Sequence, residues 1–167
     1  MVNLSKREAD MAIAVSPPTT GRLSVQKLVD FNLYLAASKK YLKQNHALTK
    51  LSDITDHRFV GYIADMIFDK ELDYLSEIGI ERVALASNSV SVQFNLLRAG
   101  AGLGIVHGFA LPYAPNLQRI LPEEFLLRRS FYLIRHDDDR RIDKMNRFSK
   151  DLARGIRLEI DRLEREA

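Results

Sequence analysis

An α/β fold is predicted by three features of the 167-residue chain. Short apolar, β-branched runs alternate with amphipathic stretches, which points to an α/β architecture with mainly parallel sheets. One helix, around 89–99, runs through a glycine cluster straight into an apolar strand. A long stripe of apolar residues near the end of the chain marks a terminal helix.

The elements follow in order. Asp10–Val15, DMAIAV, is a short buried strand that stops at Ser16-Pro17-Pro18, because proline cannot continue a hydrogen-bonded ladder. TTGR (19–22) extends the loop, and Val29–Ala36, VDFNLYLA, partly alternates as a second strand. Ser38 is a good N-cap for a helix whose first apolar contacts are Tyr41 and Leu42. Leu51–Ile54 is a short helical turn or loop, and Arg58–Ile63, RFVGYI, is a third strand. Between 64 and 81, Leu72, Leu75 and Ile78 have helical spacing, but the acidic content also suits an irregular excursion. Arg82–Ala86 is a strand leading through Ser87-Asn88-Ser89 into a helix with Val92, Leu96 and Leu97 on one face. Leu103–His107, Leu117–Leu121 and Ser130–Arg135 are further strands. From about Ile142, Met145, Phe148, Leu152, Ile156, Ile160 and Leu163 form one helical stripe. Beyond Arg154 that helix is highly charged; it either packs on a partner or ends in solvent.

Composition bounds the function. With 46% hydrophobic and 28% charged residues, the balance is that of an ordinary globular protein. The absence of cysteine excludes disulfides and thiolate metal sites and suits a cytoplasmic location. No apolar run is long enough to span a bilayer, and MVNLSKREAD lacks the apolar core of a secretory signal. The net charge of +3 is mild, and the basic residues from Arg128 to Arg165 are interspersed with acidic ones. That pattern suits a solvated helix face better than a one-sided nucleic-acid patch.

The glycine cluster LLRAGAGLGIVHGFALP (96–112) invites a phosphate-loop reading. A phosphate loop runs strand, glycine turn, helix, so that the anion meets the helix N-terminus. Here a helix precedes the glycines and a strand follows them. Gly100 therefore fits a left-handed helix C-cap, and Gly102 and Gly104 permit close packing as the strand begins. Ser87-Asn88-Ser89 has the polarity an anion needs: it follows a strand and opens a helix, so free N–H groups and hydroxyls converge there. Plain capping accounts for the same residues. His136-Asp137-Asp138-Asp139 is better read as helix capping by Asp137 or Asp138 than as a metal cluster, because a hard cation needs oxygens from several directions. No metal or cofactor is expected. No nucleophile–base pair or paired carboxylate suggests an enzyme.

Taken together, READMAIAV (7–15), VDFNLYLAASKKYLKQN (29–45), LSDITDHRFVGYI (51–63), SNSVSVQFNLLRAGAGLGIV (87–106) and ALPYAPNLQRILPE (110–123) resemble the effector-binding region of LysR-type transcriptional regulators. The resemblance covers nearly the whole chain in the right order. It implies a two-lobed fold like a type II periplasmic binding protein, with two crossing strands at Val29–Ala36 and Leu103–His107. One lobe would be 1–28 plus 105–167, the other 29–104. It also implies that the winged helix-turn-helix, the linker helix and the first strand–helix–strand of the effector region are absent from this sequence. The first lobe would then be incomplete, leaving the edge at Asp10–Val15 open for a second copy of the chain.

The resemblance further implies a small-molecule effector, possibly a carboxylate or aromatic acid, bound between the lobes of a homodimer or homotetramer. DNA would be met only through the absent winged helix-turn-helix, and no membrane is involved. The expected contacts are Ser16 and Pro17 after the first strand, and Gly61, Tyr62 and Ile63 after RFVGYI. Ser87, Asn88 and Ser89 stand at the helix entry, and His107 and Phe109 lie past the second crossing. Ser87 and Ser89 would hold a carboxylate, Tyr62 and Phe109 would wall an aromatic body, and His107 would hydrogen-bond it. A transport binding protein or enzyme on the same fold, and a dimerisation fragment without a ligand, are the competing readings.

Overall fold

The computed structural model of the chain describes residue 4 and residues 8–167. Its main sheet contains five strands: β1 (Met11–Ala14), β2 (Leu23–Ser38), β5 (Leu103–His107), β6 (Leu117–Arg119) and β7 (Leu127–His136). The order is β1-β7-β2-β5, with β6 taking up the β2 edge where β7 leaves it. A second sheet pairs β3 (Val60–Gly61) with β4 (Leu85–Ala86), and a bridge from Phe59 to Leu103 joins it to β5. The helices are α1 (Lys39–Gln44), α2 (Val90–Ala99) and α3 (Asp143–Glu166).

The sheet direction corrects the sequence reading. Every pairing in the main sheet is antiparallel, and parallel pairing occurs only at β3–β4 and the Phe59 bridge. Alternating strands and helices do not fix strand direction. Here β2 is 16 residues long and serves as the common rail on which β5, β6 and β7 all lie reversed. Its first part, Leu23–Leu33, pairs with β7, and its last part, Leu33–Ala37, pairs with β5. β2 is thus the strand on which the two halves of the molecule meet.

Other boundaries shift as well. RFVGYI contributes only the short β3, and 82–86 only the short β4. The 64–81 stretch forms three 3₁₀ turns, at Ala64–Met66, Lys70–Leu72 and Ser76–Ile78. Gly79, in the left-handed region at φ 70°, ends the last of them. Neither Asp137 nor Asp138 caps α3, whose N-cap position is Ile142 with no side-chain bond; these aspartates belong instead to a 3₁₀ turn at Asp137–Arg141 that precedes it.

Local chemistry sets the remaining elements. Ser38 caps α1 by accepting from the Tyr41 amide at 3.1 Å. Gly100 closes α2 at φ 87°, with its amide bonded to the carbonyls of Leu96 and Leu97. A Cβ on Gly102 would sit 2.3 Å from the Arg58 carbonyl oxygen. The glycine cluster therefore lets β5 lie directly against the β3 segment, and the phosphate-loop reading has no structural counterpart.

The core forms around Leu33, Leu35, Leu103 and Leu133, all at most 1% exposed. α3 packs along the other half of β2. Small residues, Ser149 and Ala153, face the sheet in its first half, while Phe148 stays 57% exposed. Its charged end is docked: Ile160 and Leu163 are buried, and Glu164 accepts from the Asn32 amide at 3.1 Å and the Asn32 side chain at 2.7 Å. Arg157 donates to the carbonyls of Leu28 and Lys27, at 2.6 and 3.1 Å, where the β2–β7 register slips. A bulge leaves carbonyls without ladder partners, and the guanidinium supplies them.

Candidate functional site

The end of β5 carries His107 to the boundary between the two halves. The turn after it, Gly108–Tyr113, carries Phe109, and β7 brings Phe131 alongside. These rings form one stack with Phe31 of β2. Phe31 lies 4.4 Å from Phe131 and 5.3 Å from His107, both stacked, and meets Phe109 edge-on at 5.7 Å. Facing them from the other half are Tyr62, just past β3, and Tyr74, between two of the 3₁₀ turns. Tyr74 meets both Tyr62, at 6.2 Å, and His107, at 6.4 Å, edge to face.

Between these walls lies a cleft of about 420 Å³. Ile105, Val106, His107 and Phe131 line it from the main sheet, with Phe109 and Val15 beside them. Tyr62, Leu72 and Tyr74 line the opposite side, and Val90, Ser91 and Phe94 bring in the first turns of α2. Among the described residues no Lys, Arg, Asp or Glu lines it. Its size and apolar lining, with a few polar groups, are those of a small-molecule site.

Burial shapes the polar groups. The His107 imidazole, enclosed by rings, has its pKa pushed down to about 4, so it is neutral at physiological pH. Burial also raises the Tyr62 and Tyr74 hydroxyls above the ordinary tyrosine value. Tyr74 is 5% exposed, and its hydroxyl has no hydrogen-bond partner.

The expected contact residues are distributed as follows. Tyr62, His107 and Phe109 line the cleft. Gly61 lines a smaller cavity of about 60 Å³ beside it, where an added Cβ would meet Leu75 at 2.6 Å. Ile63 lies at the surface, as does Pro17. Val15, one residue before Ser16, reaches the cleft, while the Ser16 hydroxyl donates to the Asp69 carboxylate. Ser87, Asn88 and Ser89 stand one step outside the lining. The Ser87 amide donates to the Gly61 carbonyl at 3.0 Å, which ties the helix entry to the Tyr62 segment. Ser89 caps α2, accepting from the Val92 amide at 3.4 Å, and the Asn88 amide contacts the Met66 sulfur at 2.9 Å. The next two residues, Val90 and Ser91, are those that face the cleft.

Tyr74, Phe94 and Phe131 line the cleft without having been singled out from the sequence. Phe94 stands three residues after Ser91, on the same helix face, so its position was readable from the spacing. Tyr74 falls off the helical spacing of Leu72, Leu75 and Ile78, in a stretch that folds as 3₁₀ turns instead.

The 64–81 segment is tied to the main sheet at two points. Ser16 bonds Asp69, and Arg129 of β7 forms ion pairs with Glu71 at 2.7 Å and Glu77 at 2.8 Å. Arg129 is only 14% exposed, so these pairs are less screened than surface pairs. Among the described residues, no group of three or more His, Cys, Asp or Glu is arranged to hold a metal, and no helix is long and apolar enough to cross a membrane.

Comparison with known families finds a match to the LysR substrate binding domain over residues 1–156. A search of curated proteins finds no match. Among solved structures, the regulatory domain of CrgA, a LysR-type transcriptional regulator from Neisseria meningitidis, superposes with a TM-score of 0.75 at 17% identity, covering 99% of this chain and 78% of that one. The regulatory domain of the C227S variant of AphB from Vibrio vulnificus gives 0.61 at 20% identity, over 77% and 72% of the two chains. Full-length AphB from Vibrio cholerae, a virulence activator, gives 0.69 at 18% identity; it covers 92% of this chain, which spans 54% of that protein. At these identities the likeness speaks for the fold.

Proposed function

This chain belongs to the LysR substrate-binding-domain family, and on that premise we propose that its aromatic cleft binds the small-molecule effector of a transcriptional regulator. The observation that carries this reading is the placement of the cleft. Among the described residues no charged side chain lines it, it lies where the main sheet meets the β3–β4 segment, and the first turn of α2 forms one end of it.

The effector we propose is an organic acid with an aromatic body. The rings of Tyr62, Phe109 and Phe131 take the body. The carboxylate stays at the mouth, by the amides of Val90 and Ser91 and the positive end of α2, within reach of the Ser87–Ser89 entry. In this reading the lobes are 1–28 with 105–167 and 29–104. The effector shifts their relative arrangement by its difference in affinity for the two shapes, in a cytoplasmic regulator that acts on DNA through another region.

β1 supports the expected oligomer. Among the described residues it pairs only with β7, so its other edge is open, and Ile13 on it is 47% exposed. A homodimer or homotetramer that covers this edge removes an aggregation hazard.

Thermal-shift measurement against a panel of benzoate-type acids tests the binding reading. A saturable rise in melting temperature is expected, because a compound that binds only the folded state stabilises it. A well-folded sample that responds to no aromatic acid would contradict the reading.

A further inference from the structure

The cleft holds a feature that a plain aromatic acid leaves unanswered. Tyr74 lines it, is 5% exposed, and its hydroxyl finds no partner among the described residues. A buried hydroxyl without a hydrogen bond is costly, and native folds keep few of them. Its ring is flanked by Tyr62 and His107 and belongs to the buried cluster of Phe31, Leu33 and Ile160, so it cannot easily swing out to water. His107 stands 6.4 Å away, ring to ring. The Tyr74 hydroxyl thus sits idle on a mostly apolar wall.

The electrostatics of that wall narrow what can answer it. Among the described residues no cation lines the cleft, whose wall also carries the rings of Phe109 and Phe131. An anion placed there would lose its water and gain no counter-charge, which is far more costly than burying an uncharged polar atom. A neutral oxygen meets no such obstacle.

Resting on the effector-binding reading above, we propose that the effector carries, on the aromatic body away from its carboxylate, one uncharged hydrogen-bond acceptor such as an ether, carbonyl or phenol oxygen, which accepts a hydrogen bond from the Tyr74 hydroxyl. Tyr74 is then a specificity-determining residue, with His107 as the second polar contact. The site selects substituted aromatic monocarboxylates and rejects aromatic dicarboxylates, because the second carboxylate would have to enter the charge-free wall.

The test is calorimetric titration of the whole chain with benzoate, 3- and 4-methoxybenzoate, isophthalate and terephthalate. The proposal expects at least one methoxybenzoate to bind tenfold or more tighter than benzoate, and both dicarboxylates to bind more weakly than benzoate. In Tyr74→Phe the ratio of methoxybenzoate to benzoate affinity should fall to about one, with no fall in melting temperature, since the lost hydroxyl had no partner. Equal binding of benzoate and both methoxybenzoates by the wild-type chain overturns the proposal, as does a dicarboxylate that binds as tightly as benzoate, or a methoxy advantage that survives in Tyr74→Phe. Each of these leaves effector binding standing. Binding of none of the five compounds by the folded wild-type chain overturns both. The wild-type comparisons decide the matter even if the variant fails to fold.

Discussion

His107 shows how one residue's surroundings set its chemistry. Phe31, Phe109 and Tyr74 enclose it, and burial lowers its pKa to about 4. The unfolded chain keeps the ordinary value of about 6.5. Between those values the unfolded state binds more protons, so stability rises with pH across that window. The contribution is therefore complete above pH 6.5 and is lost as pH falls toward 4, by at most about 3 kcal/mol. Urea unfolding at pH 7 and pH 4.5 should show this loss in the wild-type chain and a smaller one in His107→Phe; equal losses in both would contradict the burial account. His107 and Tyr62 were legible as cleft-lining residues because the first ends a strand and the second follows one. Tyr74 was not, because its position depends on three turns stitched to the main sheet by Arg129 and Ser16. Such long-range ties leave no local pattern.

Among elements, α3 was the most legible and also the most revealing where the reading fell short. Its period gave its extent, yet the charged end packs through pairs that no period encodes, Glu164 with Asn32 and Arg157 with the β2 bulge. Removing Arg157 returns two carbonyls at that bulge to solvent, so Arg157→Ala should lower stability by about 1–2 kcal/mol. A shift of the urea midpoint to lower concentration with unchanged slope is the expected result, and an unmoved midpoint would contradict the clamp. The caps at Ser38 and Gly100 were readable because capping chemistry is local. Strand direction was not. The sequence shows where β5 begins and the inner part of β7, at 130–135, but only their shared partner β2 shows that both run against it.

For the whole molecule, the long strand β2 explains both the division and its coupling. Its first half belongs with β7 and α3, its last with β5, β6 and α1, and the cleft opens beside the crossing. Under the proposed function, a ligand in the cleft would touch Tyr62 and Tyr74 on one wall and His107, Phe109 and Phe131 on the other at once. The open edge of β1 carries a separate expectation: light scattering after size exclusion should show a dimer or larger species, and a clean monomer at micromolar concentration would reject edge pairing. The central claim, that the cleft between the halves is the effector site, is tested most directly by aromatic-region NMR of the chain titrated with 4-methoxybenzoate. The account predicts saturable shifts in the ring signals of Tyr62, Tyr74, His107, Phe109 and Phe131. Saturable binding that leaves those rings unmoved and shifts residues elsewhere would place the site outside the cleft and contradict it.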